Sequence, residues 1–303
     1  MANDLVPDSE RSGLIGALPA PWRPYASLMR IDRPIGTWLL FWPCAWSVAL
    51  TGVDERWDLF AWFALGAFAM RSAGCVYNDL VDRKLDAQVE RTRLRPLASG
   101  RVSVRASLIL IALLCALGLL VLLQLEPAAQ IVAFGSVMLV AAYPFMKRIT
   151  WWPQAWLGVV FGWGALVGWP AVTGALAPAA GWLWLGTIFW VVGYDTLYAI
   201  QDKEDDALVG IRSSARRLGR HAGLAIAACY GLALGGWGMA IWSVRPDLLA
   251  LAALLPAALH LGAQVIRIEP DDGETALRLF RSNRFTGLLL LLGFGAVGLS
   301  SAA

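Results

Sequence analysis

The sequence is poor in charge. Only 16% of its 303 residues are charged, 58% are hydrophobic, and the mean hydropathy is +0.59. A soluble domain typically has about 25% charged and about 45–50% apolar residues. The apolar excess is spread along the whole chain, which excludes a soluble body with a single anchor. A membrane-spanning helix needs about 20 mostly apolar residues, so the composition predicts a polytopic helical membrane protein.

Histidine and cysteine are also scarce. The two histidines, His221 and His260, lie outside the acidic motifs described below, which argues against a zinc or iron centre. No two cysteines form a CxxC pair, so neither zinc ligation nor a disulfide framework is supported. The N-terminus is polar and acidic, without the basic start and short apolar run of a signal peptide. We therefore expect the first span to act as the insertion signal. The cysteines, read as small core residues, are Cys44, Cys75, Cys115 and Cys229.

Apolar windows predict an all-α bundle of about nine transmembrane helices within one integral-membrane domain, 1–303, whose residues 1–24 form a polar N-terminal tail. The predicted spans are 36–52, 57–78, 106–124, 128–146, 153–173, 178–200, 222–244, 247–266 and 286–301.

Lysine and arginine fall almost entirely on one side of these spans. The N-terminus and the loops that share its side carry 22 of the 25 basic residues. Arg56 and Arg245 lie on the other side, and Arg71 falls inside a span. Because basic residues concentrate in cytoplasmic loops, we predict a cytoplasmic N-terminus and a C-terminal tail on the opposite side.

Two acidic motifs stand at the predicted cytoplasmic ends of the second and sixth spans. In the first, Asn78, Asp82 and Asp86 are spaced four apart and would share one face of a continuous helix. In the second, Asp195, Asp202 and Asp206 fall at i, i+7 and i+11, again on one helical stripe. Tyr198 lies beside this second stripe.

Facing carboxylate clusters at a membrane edge would repel without cations between them. Magnesium prefers oxygen ligands and binds through carboxylates and substrate phosphates, so the motifs fit a diphosphate clamped by Mg²⁺. The alternative is that these acids end solvated helices and pair with Arg83, Lys84 and Lys203. The recurrence of the arrangement where apolar spans meet water favours the functional interpretation.

The sequence resembles the UbiA superfamily of intramembrane prenyltransferases. Asn78-Asp79-x-x-Asp82-x-x-x-Asp86 matches the family pattern NDxxDxxxD, and Asp202-x-x-x-Asp206 matches DxxxD. Further matches are Met29–Thr37, Arg95–Leu97 with Ser99–Gly100, Tyr143–Arg148 with Pro153–Gln154, and Tyr194–Ala199, the last similar to the branch that prenylates 4-hydroxybenzoate.

The resemblance implies a nine-helix bundle with a central cavity capped by cytoplasmic acidic loops. It also implies Mg²⁺-dependent transfer of a polyprenyl group from polyprenyl diphosphate to 4-hydroxybenzoate, ortho to the hydroxyl, in ubiquinone biosynthesis at the bacterial inner membrane. The partners expected are these two substrates and the lipid bilayer, with no nucleic acid and no obligate protein partner.

On this hypothesis, Asn78, Asp82, Asp202 and Asp206 hold the metal. Asp79, Asp86 and Asp195 assist as weaker ligands or orienting groups. Lys147 and Arg148 neutralise the departing diphosphate, with Arg83 and Lys84 as alternatives. Tyr198 and Tyr143 stabilise an allylic cation, and Arg30 or Arg33 binds the acceptor carboxylate. The alternative is that Arg30 and Arg33 only contribute to the excess of basic residues on the cytoplasmic side.

The sequence has three alternative interpretations. The acceptor of a family member could be homogentisate, a naphthoate, chlorophyllide or haem. An ion-coupled carrier would place its binding residues near the bilayer midplane on broken helices, whereas these acids lie at span ends. A membrane phosphotransferase would carry one compact motif with glycine, and here two distant motifs lack glycine.

Overall fold

The structure is a computed structural model that describes residues 12–52, 56–88, 92–201, 203 and 212–302. Every regular element in these ranges is helical. The α-helices are α1 (Ser12–Ala17), α2 (Arg23–Leu28), α3 (Ile35–Leu50), α4 (Asp58–Asp86), α5 (Val104–Leu122), α6 (Pro127–Ile149), α7 (Pro153–Thr173), α8 (Pro178–Gln201), α9 (Ser214–Leu218), α10 (Ala222–Val244), α11 (Leu248–Leu251), α12 (Leu255–Ile266) and α13 (Gly273–Ala302).

Eight helical segments in the described ranges are long and apolar enough to cross a membrane. Two of them run through short 3₁₀ turns, which join α9 to α10 over Ser214–Val244 and α11 to α12 over Leu248–Ile266. The first predicted span corresponds to α3, which is apolar but only 16 residues long. The prediction of an all-α polytopic membrane protein is therefore confirmed.

Two helices extend well beyond the predicted spans. Helix α4 continues to Asp86 where the apolar window ends at residue 78, and α13 begins at Gly273 rather than at residue 286. At the start of α13, Asp272 accepts a hydrogen bond from the backbone N–H of Thr275 at 2.9 Å, as an N-cap does. The pKa of the Asp272 carboxyl is lowered mainly by the hydrogen bond from the side chain of Thr275 and, to a smaller extent, by the one from its backbone N–H. Hydropathy therefore underestimates the length of both helices, because polar residues continue each helix beyond its apolar window.

The N-terminal segment contains more structure than a polar tail. From Ser12 onward it forms α1 and α2, and the side chain of Ile15 is buried. Arg23 ties this segment together by donating hydrogen bonds to the backbone oxygens of Leu18 and Gly16, each at 2.9 Å.

The chain divides into two compact units. The first comprises Met1–Thr37 and Ala64–Leu122, and the second comprises Trp38–Phe63 and Leu123–Ala303. Buried apolar residues from α2, α4, α5 and the loop between α4 and α5 form a cluster in the first unit. Its fully buried members are Leu28, Ala73, Val76, Leu97, Val102 and Leu114.

Aromatic side chains form the centre of the second unit. The ring of Trp46 lies 5.1 Å from that of Trp190 and 5.5 Å from that of Trp237, and each of these three side chains is fully buried. Trp46 donates to the backbone oxygen of Gly287 at 2.8 Å, and Trp190 donates to Asn283 at the same distance. Both polar edges of these rings are thus satisfied, as buried tryptophan requires.

Candidate active site

The C-terminal part of α4 presents a buried acidic stripe. Asp79, Asp82 and Asp86 are only 1%, 1% and 6% exposed, and their spacing of three and four residues places them on one face. The prediction that the first motif lies on one continuous helix is confirmed. Asn78 is half-buried on the adjoining part of the helix, while Arg83 and Lys84 are exposed. Three carboxylates are therefore withdrawn from water at the end of a membrane helix.

Arg30 holds the first of these carboxylates. Its Nη2 lies 2.7 and 2.9 Å from the two carboxylate oxygens of Asp79. Arg30 has a left-handed backbone, with φ of 58°. Such a conformation costs a non-glycine residue about 1–3 kcal/mol, and it persists only where surrounding structure enforces it. The neighbouring Leu28 is fully buried, and Ser72 donates to the backbone oxygen of Met29.

Arg95 bridges two members of the stripe. Its Nη1 lies 3.3 Å from Asp79 and 3.0 Å from the nearer oxygen of Asp86. The loop that carries Arg95 is fixed because Leu97 and Val102 are buried in the apolar cluster of the first unit. Arg95 was not among the predicted site residues, although its Arg-Pro-Leu sequence belongs to the family resemblance. Its role becomes visible only when the loop is folded against α4.

Asp79 and Asp86 differ in the number of arginines that bind them. Asp79 is bound by two arginines and Asp86 by one, so both have a neutralising partner. Within the described residues, no group of three or more His, Cys, Asp or Glu side chains is arranged to hold a metal ion. Asp202 and Asp206, predicted to complete the metal site, lie outside the described residues. The donors that the first motif does contribute are amide and carboxylate oxygens, which suit Mg²⁺.

Two further arginines in the first unit differ in their pairing. Arg33 lies 3.2 Å from the buried carboxylate of Asp32. Arg71 lies inside the predicted second span, where its guanidinium contacts the sulfur of Cys75. Its buried Nε has no hydrogen-bond partner among the described residues. Gly36 leaves the space for this guanidinium, since an added Cβ there would overlap it. Arg71 could have been identified from the sequence, because a charged residue inside a predicted span is a functional candidate by default.

The second motif begins on α8 in the second unit. Asp195 and Tyr198 are half-buried there, and the ring of Phe280 on α13 lies 5.0 Å from that of Tyr198. The hydroxyl groups of Thr196 and Ser214 are 2.7 Å apart. This contact fixes α8 against the start of α9, close to Asp195. The structure thus places Asp195 and Tyr198 on the same helix, as predicted.

The end of α6 supplies two more of the predicted cations. Lys147 is half-buried and Arg148 is exposed, with its guanidinium 5.9 Å from the ring of Phe145. Arg212 caps this helix by donating from its side chain to the backbone oxygen of Ile149 at 3.0 Å. Cationic side chains are favoured at a helix C-terminus by the helix dipole. Tyr143 lies one turn before Lys147 and is half-buried.

Comparison with known proteins identifies the family. Residues 40–294 match the model of the UbiA prenyltransferase family. The chain belongs to this family. Among curated proteins, one named 4-hydroxybenzoate polyprenyltransferase, mitochondrial, from Drosophila pseudoobscura pseudoobscura is 43% identical over 293 residues, covering 95% of this chain and 74% of the relative. A protein of the same name from Caenorhabditis elegans is 42% identical over 300 residues, covering 96% and 83%.

Solved structures share the fold of this UbiA family member. The apo structure of a UbiA homologue from Aeropyrum pernix K1 has a TM-score of 0.69 at 22% identity and covers 88% of this chain and 98% of that chain. A UbiA homologue from Archaeoglobus fulgidus bound to GPP and Mg²⁺ has a TM-score of 0.67 at 16% identity, covering 91% and 99%. At these identities the likeness establishes the helical membrane fold.

Proposed function

We propose that this chain transfers a polyprenyl group from polyprenyl diphosphate to 4-hydroxybenzoate, in ubiquinone biosynthesis. The new bond forms at the ring carbon ortho to the hydroxyl, and diphosphate is released. The observation that carries the proposal is the stripe of three buried carboxylates at the end of α4, held by Arg30 and Arg95. The curated relatives bearing this enzyme's name, at 42–43% identity over nearly the whole chain, support the choice of acceptor.

Asn78, Asp82, Asp202 and Asp206 would hold magnesium in this proposal. A bound Mg²⁺ supplies positive charge to the diphosphate oxygens as the leaving group departs. Asp79 and Asp86 are then orienting groups, since Arg30 and Arg95 already neutralise them. Their part is to fix the end of α4, so that Asp82 keeps its position between them.

The remaining residues act on the two substrates. When the allylic carbon–oxygen bond breaks, its electron pair stays with the diphosphate, whose charge Lys147 and Arg148 offset. Arg83 and Lys84 are alternatives for this task, since both are exposed and can turn toward an anion. Aromatic faces attract cations, so Tyr143 and Tyr198 stabilise the allylic cation before the ring carbon attacks it. The residues that contact the donor also include Asp195.

The acceptor carboxylate requires a cation, for which Arg30 and Arg33 are the candidates from the sequence and Arg71 is a further candidate from the structure. Arg30 and Arg33, the candidates from the sequence, each bind a carboxylate of the chain itself. Arg71, at Nε, and Arg33, at Nη2, each keep a buried donor without a hydrogen-bond partner in the described structure. Arg33 also pairs with Asp32, whereas the contact of Arg71 is to the sulfur of Cys75. An arginine can grip a carboxylate through two parallel N–H donors. The ring proton then passes to the released diphosphate, which restores the aromatic ring and completes the reaction.

The proposal extends to the whole chain and its location. Residues 1–303 form one integral-membrane domain with 1–24 as its N-terminal tail, placed in a bacterial inner membrane with the N-terminus on the cytoplasmic side. The excess of basic residues on that side supports this orientation. The curated relatives are named as mitochondrial proteins.

Prenyl transfer in isolated membranes tests the proposal. The assay supplies 4-hydroxybenzoate, a polyprenyl diphosphate and Mg²⁺ to the wild type, Asp82→Asn and Asp58→Asn. Asp58 provides the matched control, because it lies at the opposite end of α4 and pairs with Arg56 at the surface. We expect Asp82→Asn to lower turnover at least about a hundredfold, equivalent to roughly 2.7 kcal/mol of lost transition-state stabilisation, and Asp58→Asn to leave it unchanged.

The outcomes separate the parts of the proposal. Product with homogentisate or a naphthoate, and none with 4-hydroxybenzoate, would keep the reaction and refute the acceptor. No transfer to any acceptor by folded protein would refute the enzymatic function and favour the ion-coupled carrier. Equal loss in Asp82→Asn and Asp58→Asn would refute the assignment of Asp82.

A further inference from the structure

A cavity of about 370 Å³ lies between α12 and α13 in the second unit. Its volume falls within the range of about 300–1,000 Å³ that is typical of ligand sites. None of its lining residues has a part in the proposed reaction. The polar groups that line it are two guanidinium groups, two hydroxyls, an imidazole and a carboxamide: Arg267, Arg278, Thr275, Ser282, His260 and Gln264.

The two arginines give the cavity its charge. Arg267 follows the last residue of α12, and its exposed side chain makes no hydrogen bond or ion pair with the described residues. Arg278 binds Glu274 at 2.8 Å and the hydroxyl of Thr275 at 2.7 Å. The side chains of Arg278 and Glu274 are 62% and 81% exposed. Ion pairs this exposed contribute little, so a stronger anionic ligand can replace Glu274.

The floor of the cavity is held in place by a buried network. Gln264, only 2% exposed, accepts hydrogen bonds from Tyr230 at 2.9 Å and from Asn283 at 3.3 Å. His260 lies 2.9 Å from the hydroxyl of Thr286. These groups are already oriented, so a ligand would not have to order them on binding.

The surroundings of the cavity indicate what kind of anion fits it. Helix α12 exposes Leu259 and Ile266, which are 73% and 87% accessible. On a membrane helix these side chains face acyl chains, whereas Arg267 lies just beyond the apolar segment. A ligand here therefore meets apolar surface and positive charge together. Basic pockets between transmembrane helices on the cytoplasmic side are suited to anionic lipid headgroups.

We propose that this cavity binds the phosphate of an anionic phospholipid headgroup. Arg267 and Arg278 contact the phosphate, and the acyl chains extend along α12. Such a site is separate from the diphosphate site, because it is built from α12 and α13 and uses none of the acidic motif residues.

Lipid retention by the purified full-length protein tests this inference. Native mass spectrometry would count phosphatidylglycerol and phosphatidylcholine bound to the wild type, to Arg267→Gln/Arg278→Gln and to Arg220→Gln. Arg220 is an exposed arginine on the same predicted membrane side, outside the cavity. Each basic residue near an anionic headgroup contributes about fivefold in affinity, so we expect the double variant to bind phosphatidylglycerol about 25-fold more weakly. Arg220→Gln should bind it as the wild type does.

A second variant addresses shape without changing charge. Ala263 also lines the cavity, and Ala263→Trp should fill it and reduce phosphatidylglycerol binding while both arginines remain. Equal binding of the two lipids by the wild type would overturn the proposal, as would equal losses in the double variant and Arg220→Gln. If inorganic phosphate at equal concentration displaces phosphatidylglycerol, the site binds free phosphate and the proposal of a lipid ligand is refuted.

Discussion

Arg95 offers a direct test of how the acidic stripe is held. Replacing it with methionine keeps a long, unbranched side chain and removes the charge. Asp79 would retain Arg30, whereas Asp86 would lose the cation that lies 3.0 Å from its carboxylate. We expect Arg95→Met to destabilise the protein when no divalent cation is present, because a buried carboxylate would be left without its counter-charge.

The magnitude follows from distance and burial. Two unit charges 4 Å apart interact by about 4 kcal/mol at an effective dielectric constant near 20. Removing one partner of a buried pair typically costs about 3–5 kcal/mol. The side chains of Arg95 and Asp86 are 15% and 9% exposed, so some water can enter. We therefore take the lower end, about 3 kcal/mol, which corresponds to a fall of roughly 5–10 °C in the unfolding midpoint.

Thermal unfolding of the detergent-solubilised protein, followed by tryptophan fluorescence, measures this effect. Each variant would be compared in EDTA and in Mg²⁺. Because Asp86 would be left unneutralised, Mg²⁺ should raise the midpoint of Arg95→Met more than that of the wild type. Arg105→Met is the matched control, since Arg105 is an exposed arginine in the same unit. Its change in stability should stay within about 0.5 kcal/mol.

Two results would refute this reasoning. If Arg95→Met and Arg105→Met unfold together in EDTA, Arg95 does not neutralise the stripe. If Arg95→Met is more stable than the wild type, desolvation of the arginine exceeds the attraction it gains, as occurs for some buried ion pairs.

Two further predictions concern the second unit. Gly298→Ala should destabilise the protein by about 3 kcal/mol or more, since an added Cβ would overlap the backbone oxygen of Ala49. Gly295→Ala is the control, because an added Cβ there meets no atom within 4 Å. It should be neutral or slightly stabilising in the same thermal unfolding assay. Trp190→Phe removes the 2.8 Å hydrogen bond to Asn283 and should cost about 1–3 kcal/mol. The exposed Trp242 is its matched control, and an equal loss in Trp242→Phe would contradict the role of that hydrogen bond.

The sequence was sufficient to predict the membrane helices and the helical setting of the first motif, although the buried stripe contains Asp79 in place of the predicted Asn78. Both depend on local rules: apolar length sets the spans, and a four-residue spacing sets the face. The ends of α4 and α13 were less predictable from hydropathy alone. Their extensions are polar segments that continue a helix already nucleated by the membrane span, so each additional residue gains a hydrogen bond without a new nucleation cost.

Pairing between residues could not be predicted in the same way. Arg30 and Arg33 were grouped by residue type and position as candidates for the acceptor, whereas the structure pairs them with Asp79 and Asp32. Arg95 was overlooked because its contact depends on where Leu97 and Val102 anchor the loop. These ion pairs and the contact of Arg95 produce no repeating residue spacing, so the sequence does not reveal them.

The buried stripe also explains why the flanking loops belong to the site. Three carboxylates withdrawn from water on one helix face repel one another, and α4 exposes its own Arg83 and Lys84 instead of turning them toward the stripe. Neutralising charge for Asp79 and Asp86 comes from Arg30 before α3 and Arg95 after α4. The left-handed backbone of Arg30 follows from the same requirement, because its strain is offset by two short contacts to Asp79. A substitution that repositions either loop should thus affect the acidic site without touching an acidic residue.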